Sequence, residues 1–179
     1  METIYKEIVS VFNANKQVFI DRGLPTMRQI DIYMGQPDAP TDFEMFLPGM
    51  YIDWRIEPGP ETEPDILTLD FHVLFDPGAA TDNSSLRIDQ GLQYIEFIKA
   101  CKYLLNYLRT DNITPLKWNG ERPTVTPYYK YHIITYKASI DTYLESIHRP
   151  VYGDTTISSV NITSGKLKPD DSPLEVDTF

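Results

Sequence analysis

This sequence has very little cysteine and no long apolar run. Cys101 is the only cysteine among 179 residues, which excludes an internal disulfide and a zinc site built on several thiolates. Because free cysteine is among the most buried residue types, we expect Cys101 to pack in the core. No apolar run approaches the roughly 20 residues that span a bilayer, so we expect no integral membrane protein. The N-terminus METIYKEIVSVFNANKQVF lacks the basic start and apolar core of a signal peptide, which favours synthesis in the cytoplasm.

Positive charge is also scarce. The chain has 16 Lys and Arg residues against 26 Asp and Glu residues, a net charge of -10 at pH 7. Binding to a phosphate backbone needs clustered Lys and Arg, so we expect no tight nucleic-acid binding. The segment from Asp38 to Asp65 holds eight acids and one base, Arg55, which gives it a local charge of -7. Its acids are Asp38, Asp42, Glu44, Asp53, Glu57, Glu61, Glu63 and Asp65.

Motifs for common enzyme chemistry are missing as well. The G-x-S-x-G turn of an activated serine is absent, and the nine glycines form neither G-x-x-x-x-G-K-[ST] nor G-x-G-x-x-G. We therefore expect no enzyme and no cofactor. One metal site stays open as an alternative, because Asp70, His72 and Asp76 occur within seven residues and could serve a small metal-dependent hydrolase. We expect Asp70 and His72 instead to be ordinary solvent-exposed residues on the polar face of a strand.

The first part of the chain predicts one helix and little else. Apolar residues recur at helical spacing between Ile4 and Phe12, which predicts a short amphipathic helix over residues 2 to 14. Gly and Pro interrupt the sequence repeatedly from Asp21 to Pro48. We expect an irregular course there, with one short strand near Gln29 to Met34.

The middle of the chain has the strongest patterns. Apolar and polar residues alternate from Met50 to Ile56, with Trp54 on the apolar face, and again from Leu67 to Phe75, which predicts two strands. A helix of roughly 20 residues should follow the candidate N-caps of residues 81 to 85, since apolar residues then recur every three or four positions. A further strand is predicted up to Ile140. The predicted fold class is α+β: an antiparallel sheet packed by one long helix and a short N-terminal helix, with an extended C-terminal arm.

Aromatic residues cluster around the start of the last strand. Asn112, Pro115 and Gly120 indicate a loop before it, and Trp118 precedes a group of tyrosines at Tyr128, Tyr129, Tyr131 and Tyr136. Such residues can stack on bases or sugars, but in an acidic chain they favour a half-buried sheet face or a protein interface. An adaptor or ligand-binding module that uses this tyrosine-rich face is the alternative function.

Two segments go beyond what the core requires. The loop between the first two long strands is rich in proline and acid, and we name Glu57, Glu61, Glu63 and Asp65 as a channel or inter-subunit loop. After residue 148 the composition changes to Ser, Thr, Gly, Asp and Pro, which predicts a domain over residues 1–148 and an extended arm over 149–179. The β-branched residues of Thr155–Thr163 favour a strand added to a neighbouring sheet, and a disordered terminus is the equal alternative. The expected arm contacts are Ile157, Val160, Ile162, Leu174, Val176 and Phe179.

The order of these segments resembles that of a known protein family. IYKEIVSVF, MYIDWRI, LTLDFHVLFD, IDQGLQYIEFIKACKYLLNYL and YHIITYKASI follow one another as in the tail terminator or tail completion proteins of tailed bacteriophages, and the likeness of layout covers residues 2 to 143. It implies a non-enzymatic virion structural protein, made in the bacterial host cytoplasm, that forms a homo-oligomeric ring at the neck. Its implied partners are its own copies and the flanking portal, neck or tail proteins. DNA would pass such a ring without specific binding, since an acidic loop repels phosphate.

Overall fold

A computed structural model describes residues 1–60, 63–76, 78, 80–82 and 84–141 of the chain. It distinguishes one unit over Met1–Glu145 and another over Ser146–Phe179. The domain boundary expected at residue 148 lies outside the described residues. So do the expected arm contacts at Ile157, Val160, Ile162, Leu174, Val176 and Phe179.

The described part of the chain forms helices and strands. The helices are α1 (Glu2–Ala14), α2 (Gln17–Ile20) and α3 (Ile88–Leu105). The strands are β1 (Gln29–Ile32), β2 (Gly49–Glu57), β3 (Asp65–Phe75), β4 (Lys117–Thr124) and β5 (Lys130–Ile140). Their order along the chain is α1, α2, β1, β2, β3, α3, β4, β5. This confirms the α+β class. Among these helices, none has the length and apolar content needed to cross a membrane.

The five strands form one sheet in the order β1-β2-β3-β5-β4. The pairs β2–β3 and β3–β5 are antiparallel, as expected. The pair β4–β5 is antiparallel as well. The pair β1–β2 is parallel, with Gln29 opposite Gly49 and Ile32 opposite Ile52. The chain between these two strands must therefore cross from one end of the sheet to the other, since parallel neighbours cannot be joined by a hairpin. We call residues 33–48 the crossover segment.

The helices cover one face of the sheet, which we call the inner face. The buried residues Ile4 and Ile8 of α1 and Phe97 of α3 belong to the same core cluster as Phe71 and Ile134 of the sheet. The ring of Phe97 lies 5.0 Å from that of Phe19 and 5.1 Å from that of Phe75. Apolar burial of this kind is the main favourable term in folding.

Cys101 lies in this core, as expected. Its side chain is fully buried, and burial raises the pKa of its thiol because the thiolate would lose its hydration. The residue therefore acts as a small apolar side chain.

The start of α3 differs from the expectation. The helix begins at Ile88 after Arg87, which makes no side-chain cap. The Asp82 carboxylate accepts a hydrogen bond from the backbone N–H of Ser84 at 2.9 Å, and the Ser85 hydroxyl accepts one from the N–H of Arg87 at 3.3 Å. The Asp82 and Ser85 side chains thus stabilise local turns before the helix. Because they bond to the backbone there, they do not cap the helix.

Strand β4 was expected to be a loop, and this prediction is wrong. Lys117–Thr124 pairs with β5, with a register shift between Trp118 and Gly120. Pro123 is compatible with the strand because β4 is at the edge of the sheet, where a missing N–H costs no ladder bond. The Glu121 carboxylate also lies 2.8 Å from the Lys102 ammonium of α3, which joins this edge to the helix layer.

We predict that Phe97→Ala lowers the free energy of unfolding by about 3–5 kcal/mol, because it leaves a cavity among fixed aromatic rings. Urea unfolding followed by tryptophan fluorescence measures this loss. Tyr103→Ala is the matched control, since Tyr103 is on the same helix but 66% exposed. Equal losses for both variants would contradict the core assignment.

Candidate functional site

The face of the sheet opposite the helices, the outer face, has two different halves. Strand register places Tyr51, His72 and Ile133 in one row across it. A second row, nearer the hairpin between β2 and β3, contains Arg55, Thr68 and Lys137. The crossover segment packs on the first half and leaves the second half open.

The covered half is an aromatic cluster closed by the crossover segment. Tyr33 stacks on His72 with ring centroids 4.1 Å apart and planes at 18°. The Tyr33 hydroxyl donates to the Asp38 carboxylate at 2.6 Å, and the Tyr129 hydroxyl donates to the Pro37 carbonyl. The buried members of this cluster are Tyr51, Leu74, Tyr129, Tyr131 and Ile133, against which Tyr33, Met45 and Leu47 pack.

His72 was expected to be solvent-exposed, and this prediction is wrong. Only 8% of its surface is exposed, because Tyr33 covers the ring. Its Nδ1 atom forms a hydrogen bond with the Tyr131 hydroxyl. Burial lowers the pKa of His72, and nearby carboxylates, Asp70 first, act in the opposite direction. The residue is a neutral part of the packed cluster.

The residues of the possible metal site are not brought together. Asp70 and His72 share the outer face, but the Asp70 carboxylate accepts a hydrogen bond from the Thr135 hydroxyl. Asp76 lies beyond the end of β3, where its carboxylate accepts from the N–H of Gly78 at 2.8 Å. Among the described residues, no three His, Cys, Asp or Glu side chains are placed to hold a metal ion.

The tyrosine-rich strand is mostly occupied by contacts within the chain. Tyr129 and Tyr131 are buried beneath the crossover segment, and Tyr136 is buried in the inner core, where its hydroxyl donates to the Lys102 carbonyl at 3.3 Å. This agrees with the sheet-face interpretation of these three residues. Tyr128 differs, since 60% of it is exposed. A ligand could reach Tyr129 and Tyr131 only if the crossover segment moved.

The open half of the outer face is a polar pocket of about 300 Å³. Its floor includes Thr68, which is only 4% exposed and whose hydroxyl oxygen has no hydrogen-bond partner among the described residues. Three cationic side chains, Arg55, Arg122 and Lys137, line the pocket. Sequence reasoning missed it, because its residues come from four strands and one of these strands was not predicted.

The acidic hairpin projects from the end of the sheet next to this pocket. Glu57 is the last residue of β2, and its carboxylate lies 2.9 Å from the Arg55 guanidinium. The Asp65 carboxylate accepts from the N–H of Gly59 at 3.2 Å, and the N–H of Glu63 donates to the Pro60 carbonyl at 2.8 Å. Glu63 is exposed, whereas Glu61 lies outside the described residues.

An apolar groove opens at the edge of the sheet that β1 and β2 form. Strand β1 pairs only with Gly49 to Ile52 of β2, so Asp53–Glu57 has a strand partner on one side only within the described part of the chain. Trp54 was expected to be buried, but it is 38% exposed because β1 ends before reaching it. The groove has a volume of about 300 Å³ and is lined by Met1, Ile4, Tyr5, Ile8, Ile32, Ile52, Trp54 and Leu69 among others.

A side-chain hydrogen bond at this open edge limits pairing with other strands. The Asp53 carboxylate accepts a hydrogen bond from the backbone N–H of Trp54 at 2.8 Å. A charged side chain that satisfies an edge N–H in this way discourages the addition of an arbitrary strand. The groove beneath the edge stays accessible to a larger apolar surface.

We predict that His72 makes the folded state less stable below neutral pH. Its pKa is lowered from 6.5 in the folded chain, so the unfolded chain binds the proton more readily. Its contribution is therefore present above pH 6.5 and is lost as the pH falls from 6.5 through the folded pKa. Urea unfolding at a series of pH values from 7.5 to about 5 measures this loss.

The control for this prediction is His72→Phe, which retains a ring beneath Tyr33 but cannot titrate. Its stability should change less over the same pH range than that of the unchanged chain. The pKa of His132 is also lowered by burial, so some dependence should remain in the variant. Identical pH dependence for the two proteins would contradict the role of His72.

No protein-family model matches this chain, and no curated protein matches it either. The resemblance to tail terminator and tail completion proteins therefore stays a prediction.

Proposed function

We propose that this chain is a non-enzymatic structural protein of a bacteriophage virion. Its copies would form a ring at the junction between portal or neck and tail, complete the connector, and dock tail proteins. The observation that supports this proposal best is the presence of exposed apolar side chains on two unlike edges of one sheet. Ile32, Trp54 and Ile56 lie at the β1–β2 edge, and Trp118 lies on β4 at the other.

Exposed aromatic residues of this kind are typical of protein interfaces. Trp118 is 52% exposed, with the Lys102 ammonium 4.7 Å from the centre of its ring. Because the two edges differ in sequence and shape, a contact that joins one to the other is heterologous. A heterologous contact repeats from copy to copy. It produces a closed ring when the rotation between neighbouring copies brings the last copy into contact with the first.

The acidic hairpin suits such a ring in one of two positions. Glu57, Glu61, Glu63 and Asp65 could line a central channel, where their charge would keep DNA from binding to the wall. They could instead lie at the boundary between subunits. The arm expected over residues 149–179 would reach neighbouring copies. Portal, neck or tail proteins would bind to the surfaces that remain.

We predict that the full chain forms a closed oligomer and that Trp54→Ser weakens it. Removing a central aromatic residue from an interface should raise the dissociation constant about tenfold or more. Light scattering over a range of concentrations measures the mass, and negative-stain electron microscopy shows whether the particle has a central opening.

Tyr103→Ser is the matched control, because Tyr103 is an exposed aromatic residue on α3, where the Arg22 guanidinium lies 5.9 Å from the centre of its ring. It should leave the mass unchanged. A chain that stays monomeric at every concentration would rule out a self-assembled ring. Equal effects of the two variants would remove the sheet edge from the interface.

A further inference from the structure

The polar pocket on the outer face has a charge opposite to that of the rest of the chain. The protein has a net charge of -10, yet Arg55, Arg122 and Lys137 converge on this one pocket. Arg55 is already paired with Glu57 at 2.9 Å. Within the described residues, no salt bridge involves Arg122 or Lys137. Two cations of the pocket are thus free to pair with a partner.

The remaining polar groups of the pocket also point to a partner. The pocket has two acids, Asp70 and Glu121, and each has a partner within the chain. The Asp70 carboxylate accepts a hydrogen bond from the Thr135 hydroxyl, and the Glu121 carboxylate lies 2.8 Å from the Lys102 ammonium of α3. The Thr68 hydroxyl is buried without a hydrogen-bond partner in the described part of the chain, which is uncommon because buried polar groups are nearly always paired. A ligand that brings carboxylate oxygens would pair with the two cations.

We infer that the occupant is the acidic hairpin of a second copy of this chain. The hairpin spans Glu57–Asp65 and belongs to the segment whose local charge is -7. Pro58, Pro60 and Pro64 restrict its backbone. Hydrogen bonds also join the N–H of Gly59 to the Asp65 carboxylate and the N–H of Glu63 to the Pro60 carbonyl. These restraints reduce the conformational freedom that the described part of the loop loses when it docks.

This inference rests on the proposed ring and deepens it, because it places the hairpin between subunits and not along the channel. Hairpin and pocket are different surfaces, so the contact is heterologous. Each copy offers its hairpin to one neighbour and its pocket to the next, which continues until the ring closes. The attraction between acid and base also selects the register of the contact.

Charge reversal in the full chain tests the contact. Glu63→Lys on the hairpin and Lys137→Glu in the pocket should each weaken self-association about tenfold or more, since each places like charges together. The double variant restores opposite charges and should regain most of the lost association. Sedimentation at low and high salt measures both effects, and higher salt should reduce the difference between the variants.

Lys99→Glu is the matched control, because Lys99 is an exposed cation on α3, where it pairs with Glu96 at 2.6 Å. It carries the same charge change, but it should not rescue Glu63→Lys. Both Glu63 and Lys137 are exposed, so the variants should keep the thermal stability of the unchanged chain. This comparison separates a lost contact from a lost fold.

The possible outcomes are distinct. A ring whose mass is the same in all variants overturns the pocket contact and keeps the proposed ring. A dimer that responds to the charge swap keeps the contact and overturns the ring. Variants that change the melting temperature of a monomer, with no change in mass, would mean that each hairpin occupies the pocket of its own chain, which overturns the inference.

Discussion

The burial of β3 on both of its faces is the constraint on which the rest of the structure depends. Every residue of this strand pairs with β5, and most also pair with β2. Its inner side chains, Phe71 among them, are buried by the helices, while His72 and Leu74 on the outer face are buried as well. A strand buried on two sides needs two covering layers. The helices supply one layer, and the crossover segment supplies the other.

The parallel pairing of β1 with β2 helps to provide the second layer. Because the chain must travel from the end of β1 back to the start of β2, the crossover segment is available to cover the outer face. It covers only part of that face. Tyr33 and Pro37 close the half around His72, and the half around Thr68 and Lys137 stays open as a polar pocket. The candidate binding surface is thus a consequence of incomplete coverage.

Much of the fold could be predicted because its signals are local. The helix over residues 2 to 14 and the long strands follow from apolar spacing alone, and the structure confirms them. Strand β4 could not be predicted in this way. Its residues, KWNGERPT, lack apolar alternation because an edge strand with exposed side chains needs none, and its pairing with β5 supplies the backbone hydrogen bonds.

The sequence by itself determined the fold class, the order of the main elements, the acidic hairpin and the burial of Cys101, because each depends on residues close together in the chain. The tertiary structure decided the burial of His72, the exposure of Trp54 and the gathering of Arg55, Arg122 and Lys137 around one pocket. The physical reason is that burial and charge clustering depend on which distant segments pack together. A polar residue on a strand is exposed or buried according to what covers it.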